Sequence, residues 1–148
     1  MNNTTVLSVF RSNESLAPIA LRLVAGIIFA AHGAQKLFAW FGGYGLEGTG
    51  QWMASIGLEP GYFMALMAGS AEFFGGLLLI AGLLTRPAAL VLAITMLVAI
   101  VTVHLENGLF MSNNGYEFGL SLMAISIALV FSGAGRFAID NVIAKRLA

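Results

Sequence analysis

The chain contains no cysteine. That absence excludes a disulfide framework, a thiol redox pair and cysteine-ligated metal within this chain, though not redox chemistry on a bound cofactor or in a partner. Charge is also scarce. Asp, Glu, Lys and Arg make up 9% of the residues, seven acids against seven bases, so there is no basic field to hold nucleic acid. The two histidines show neither H-x-x-x-H nor H-E-x-x-H spacing, so no metal ligand set is called. The glycine-rich stretch "GGYGLEGTGQWMASIGLEPG" lacks the G-K-[ST] ending of a phosphate loop. Ser121 and Ser126 have no neighbouring base motif, which leaves no case for a hydrolase. No flavin fingerprint or haem-ligation motif is present.

What the chain does hold is apolar mass. Of its 148 residues 59% are hydrophobic, with a mean hydropathy of +0.90. A soluble domain of this length has too little interior to hide that surface, so the sequence reads as an all-α integral membrane protein. Residues 1–15 are polar and have no basic n-region. The apolar run that follows is too long for a signal-peptide core, so the segment is expected to be retained as a tail, either disordered or a short interfacial helix.

Four apolar runs, about 16–41, 61–84, 87–104 and 117–132, are long enough or nearly so to cross a hydrocarbon layer that takes ~20 helical residues. They predict a single four-helix transmembrane bundle over 16–135, followed by a cytoplasmic tail at 136–148. Pro87 suits a first helical turn, and only "TR" separates the second and third runs, which makes them a tight hairpin. Arg11, Arg22, Arg86, Arg136, Lys145 and Arg146 fall on the side of the tails and that turn, whereas only Lys36 lies toward the other side with Glu47, Glu59 and Glu106. The positive-inside rule then puts both termini in the cytoplasm. In the first external loop Trp52, Met53 and Ile56 share a helical face behind Thr49 as N-cap, which predicts a short amphipathic helix on the outer membrane surface.

Polar groups inside the spans stand out against this background. In "GIIFAAHGAQKLFAWFG" the first helix carries His32, Gln35 and Lys36. At ~100° per residue Arg22, Phe29, His32 and Lys36 share a sector about 80° wide. Glu72 falls near the middle of the second run among Ala68, Ala71, Gly75 and Gly76, small residues that let a neighbouring helix approach. A carboxylate at that depth costs several kcal/mol unless protonated or paired, roughly as for any intramembrane charge. His32 is its expected partner, with Lys36 reaching down to the pair. By depth, His104 and Glu117 fall toward the same region, with Glu106, Asn107 and Tyr116 nearby. Plainer readings stand beside this one: a structural ion-pair network that fixes helix register, Lys36 snorkelling outward, and His104 with Glu106 marking the water boundary. Arg22 is expected to pair with Asp140 or another cytoplasmic carboxylate or to anchor at headgroups, and Trp40 and Trp52 to sit in the interfacial belt.

The blocks "LRLVAGIIFAAHGAQKLF", "GLEGTGQWMASIGLEPG", "AEFFGGLLLIAGLLTRPAAL", "HLENGLF" and "GYEFGLSLMAISIALVFSGAGRFAID", in that order, resemble the DoxX family of small bacterial membrane proteins. The likeness runs from about Ala20 to Asp140. It implies a four-helix, multi-pass protein of the bacterial inner membrane. The family takes its name from a small membrane subunit of a thiosulfate–quinone oxidoreductase. Its members are often provisionally named oxidoreductases, and some are linked to quinone stress and to complexes with detoxifying enzymes. The family's recurrent polar positions match at Arg22, His32, Gly33, Lys36, Glu72, Gly76, Arg86, His104, Glu117 and Asp140.

The leading expectation is a redox-linked membrane protein that binds a quinone or similar apolar carbonyl compound, as an oxidoreductase or a subunit of one. His32, Lys36 and Glu72 are the candidate catalytic residues, the first two as donors to the quinone oxygens and Glu72 as proton relay. Phe29, Phe73 and Gly76 are expected to admit the ring, with His104 and Glu117 completing the ligand site, while Arg22, Arg86 and Asp140 are read as structural. Electrons come from elsewhere in this scheme, from an unseen cofactor or a partner subunit. The bilayer is the expected partner, with self-association or an oxidoreductase partner subunit as further expectations. The alternatives are a structural anchor for a partner enzyme and a small proton-coupled transporter with Glu72 as carrier.

Overall fold

The structure is a computed structural model, and it describes residues 8–10 and 15–147. No strand occurs among them. Helix α1 spans Ala17–Phe38, with a proline in its first turn where a missing N–H costs nothing. It ends where Ala39 and then Phe41 take left-handed backbone angles, φ 58° and 52°. Helix α2 follows at Gly45–Ser55, α3 at Gly61–Ala81 and α4 at Thr85–Ala99. Helix α4 continues through a π turn, Ile100–His104, and a 3-10 turn, Leu105–Asn107. Helix α5 covers Glu117–Ser132 and α6 covers Ile139–Leu147.

Three segments, Ala17–Phe38, Gly61–Ala81 and Thr85–Asn107, are long and apolar enough to cross a membrane. Helix α5 is as apolar but has 16 residues, about 24 Å of helix. The four pack in the cyclic order α1, α3, α4, α5, and α5 returns to α1. Their shared core is Ala25 and Phe29 of α1, Leu79 of α3, Leu92 and Met96 of α4, and Leu122 and Leu129 of α5. Large apolar side chains such as Ile27, Met67, Ile94, Val101 and Phe131 point outward uncovered. That is an inside-and-outside apolar pattern suited to lipid.

The closest crossing is α1 on α3, and glycine makes it possible. Gly26 and Gly33 lie seven residues apart on α1, and Gly69 and Gly76 seven apart on α3. A Cβ on Gly76 would sit 2.6 Å from the Gly26 carbonyl oxygen, and one on Gly33 2.7 Å from that of Gly69. Backbones therefore meet where side chains would otherwise hold them apart. Gly75 receives Leu92 of α4 on the adjacent face.

Several boundaries differ from the hydropathy reading. The second run stops at Ala81 and not at 84, because Gly82 (φ 63°) closes a Schellman turn in which Leu83 N–H donates to Leu78 O and Gly82 N–H to Leu79 O. The third helix begins two residues before Pro87, because Asp140, from the far end of the chain, accepts from the amides of Leu84 and Thr85. Thr49 is not an N-cap: α2 starts at Gly45, and Thr49 is buried within it. Met53 faces inward while Trp52 is exposed, so those two do not share an environment. Residues 136–147 are not a loose tail, since α6 is docked through the buried Asp140.

Candidate functional site

Glu72 lies on the inward face of α3, with its side chain 5% exposed, and its Oε2 accepts from Lys36 Nζ of α1 at 2.6 Å. Gly69, one turn before Glu72, explains how a lysine reaches it. A Cβ there would lie 3.1 Å from the Lys36 Cβ, so the bare backbone makes room for the stem of the cation. The lysine side chain keeps 23% of its exposure, so the pair is open on its Lys36 side and closed on its Glu72 side.

His32 sits one turn before Lys36 but faces elsewhere. It is exposed, and its ring lies 5.9 Å from that of Phe118 of α5, tilted by 47°. The expected His32–Glu72 partnership is therefore replaced by Lys36–Glu72, with His32 at the seam where α5 returns to α1. Gln35, the remaining polar group of "HGAQK", donates to Phe41 O and ties down the turn after α1.

The groups expected to complete a ligand site are used in other ways. His104 Nδ1 donates to Asn114 O at 2.8 Å, and Glu117 Oε1 accepts from Met111 N at 2.6 Å. Both organise the 105–116 loop and are not drawn to Lys36–Glu72. Phe29 is 1% exposed within the core. Gly76 is filled by the α1 crossing, which leaves no room for a ring beside it. Phe73 makes edge-on contacts with Phe38 and Phe74. Among the described residues no three His, Asp or Glu side chains gather as metal ligands.

A second polar cluster lies at the other end of the helices, beside the α3–α4 turn. Arg22 is 3% exposed. Its Nη1 donates to Leu79 O and Ile80 O, and its Nη2 to Arg136 O and Phe137 O at 3.4 and 2.7 Å. Arg22 thus serves carbonyls of the last turn of α3, sharing Leu79 O with the Gly82 amide, and is not directly paired with Asp140. Asp140 accepts from Leu84 N at 2.7 Å and Thr85 N at 3.0 Å, and its own amide donates to Gly82 O. Arg86 likewise donates to Val130 O and Phe131 O, at the end of α5. The structural reading of Arg22, Arg86 and Asp140 thus acquires a geometry, in which each charge satisfies the loose end of a different helix. Gly69 and Thr85 were missed by sequence reasoning. The seven-residue glycine spacing on both helices was the signal available for the first, whereas nothing local marks the second.

Comparison with known proteins gives the chain a family. The DoxX family model matches residues 17–105. A Bacillus subtilis protein named "Putative oxidoreductase CatD" is 37% identical over 130 residues, 88% of this chain and 89% of that protein. An uncharacterized membrane protein of Mycobacterium tuberculosis is 34% identical over 86% of this chain and 82% of its own. The Escherichia coli inner membrane protein YqjF is 30% identical over 90% of this chain and 96% of its own. No solved structure matches. A membrane protein with three long apolar helices and with relatives matched over most of their length, this chain belongs to the DoxX family.

Proposed function

We propose that this protein is a redox-linked subunit of the bacterial inner membrane that binds a quinone, or a similar apolar carbonyl compound, beside Lys36–Glu72. Four spans, with α5 as the fourth and both termini in the cytoplasm, complete the reading. The observation that carries it is the asymmetry of the ion pair: a carboxylate closed inside the helices, held by a lysine that stays partly open, with the exposed His32 one turn away. A structural pair needs only mutual burial. A pair that must handle a ligand needs one donor facing out and one proton-exchanging group shielded from competing water.

In this reading the ring lies at the α1–α5 seam, against Phe118, and not beside Gly76. Lys36 donates to one quinone oxygen and His32 to the other. Reduction of quinone to quinol takes two electrons and two protons. The electrons come from a partner reductase, and Glu72 passes protons through Lys36. The name of the Bacillus subtilis relative accords with redox chemistry.

The test is binding of a short-chain quinone to the purified protein in nanodiscs, followed by tryptophan quenching, for wild type, His32→Ala and Lys36→Ala. Each variant is first checked for an unchanged helical spectrum. Saturable binding to wild type that weakens at least about tenfold, or about 1.4 kcal/mol, in Lys36→Ala is expected. Absence of wild-type binding, or equal binding by both variants, defeats the proposal and leaves Lys36–Glu72 as a register device.

A further inference from the structure

Helix α6 and the three residues before it present an unusual surface. Phe137 is 78% exposed, Val142 52%, Leu147 45% and Ile139 44%. Arg136, Lys145 and Arg146 are exposed among them. The one acid in 136–147, Asp140, is 1% exposed with both carboxylate oxygens engaged by Leu84 and Thr85 amides, so it does not neutralise that surface. At ~100° per residue Val142, Arg146 and Ile139 fall within about 60° of one another, on the side opposite Asp140, and Lys145 about 60° beyond Val142.

The position of this surface is fixed by the same contacts that bury Asp140. Asp140 N donates to Gly82 O, Asn141 Nδ2 to Gly135 O at 2.7 Å, and Arg22 holds Phe137 O. The first turn of α6 is thereby pinned to the α3–α4 turn, where two apolar spans end. That level is where headgroups begin.

We propose that Arg136, Phe137 and α6 form a lipid-facing foot that binds anionic phospholipid headgroups, with Ile139 and Val142 in the acyl boundary and Arg136, Lys145 and Arg146 on the phosphates. Mixed apolar and cationic side chains on one short helix are what an interface of anionic lipid selects. A second copy of this chain is a poor occupant, because a symmetric contact would bring the same cations face to face.

The lack of cysteine makes the test direct, since Val142→Cys supplies a single thiol for an environment-sensitive fluorophore. The labelled full chain is placed in nanodiscs of phosphatidylcholine, or of phosphatidylcholine mixed with phosphatidylglycerol, containing a lipid spin-labelled near its headgroup. We expect quenching in both, at least about twofold stronger with phosphatidylglycerol. Lys145→Gln with Arg146→Gln on the same background should diminish that difference while the melting temperature stays put. Arg136 is left intact because its guanidinium lies over the Phe137 ring, 5.5 Å from the centroid. Ile139→Cys is the second probe site should Val142→Cys perturb folding. A probe that stays in water in both lipids overturns the proposal. So does an undiminished phosphatidylglycerol effect in the neutral variant, or shielding that tracks protein density and so reports a second copy.

Discussion

Lys36 and Glu72 are unequal partners, and the inequality can be measured. Glu72 is buried along its whole length, whereas Lys36 has a flexible stem and partial exposure that let its ammonium turn toward an interface once the acid is gone. Lys36→Ala should therefore destabilise more than Glu72→Ala, by the roughly 3–5 kcal/mol of an uncompensated buried charge. The double replacement Lys36→Met with Glu72→Leu should recover most of the loss, because two well-packed apolar side chains need no pairing. Thermal unfolding of the four proteins in one mild detergent decides this. A double variant as unstable as Lys36→Ala would show that the pair does more than cancel charge. At this scale the sequence pointed to both residues, yet gave His32 precedence. Depth along α1 is readable from spacing, but 40° of azimuth decides between the α3 face and the α5 seam. That difference depends on how the helices are rotated, which a hydropathy pattern alone does not fix.

The helices themselves depend on close approach. In the α1–α3 crossing the glycines are spacers of zero length, and any added methyl must push two backbones apart. Gly33→Ala is expected to cost ~1–3 kcal/mol, as overpacking does. Gly119→Ala, whose Cβ would meet only the flexible Ile100 side chain at 3.2 Å, should be tolerated. Equal melting temperatures for the two variants would contradict the crossing geometry. Existence of the apolar helices was legible, because a span must be apolar for about 20 residues and little else in the chain is. Helix ends were less so. The run of apolar residues continues through Gly82 to Leu84, and the stop comes from a left-handed turn and from Asp140, more than fifty residues away. Gly76 was misread for a related reason: a small residue beside a buried acid looks like space for a ligand until a second helix is found occupying it.

For the molecule as a whole, orientation is the feature most open to a simple check. In our reading Ser55 lies outside and Lys145 inside. Intact cells bearing Ser55→Cys should react with a membrane-impermeant thiol reagent, and cells bearing Lys145→Cys should react only after permeabilisation. The opposite labelling pattern would invert the topology. Charge asymmetry along the sequence carried this expectation, because Lys and Arg resist translocation whatever the fold. The expected convergence of five titratable groups rested on depth alone. Depth suggested that His104 and Glu117 meet Lys36, but hydrogen bonding to the adjacent loop keeps both where their own chain segment needs them.

Arg22 also has a consequence in time. It lies in α1, made well before α6, yet two of the carbonyls it holds belong to Arg136 and Phe137, the latter 115 residues later. At 5–20 residues per second that interval is on the order of ten seconds. Throughout it, the guanidinium that closes the finished protein waits at the membrane edge with half its partners unmade. A nascent chain that stalls before Phe137 keeps that cation unfilled beside the bare Leu84 and Thr85 amides. Only once residues 136–140 have been made can these groups find their partners, so the closing contacts of the α3–α4 turn form late in synthesis.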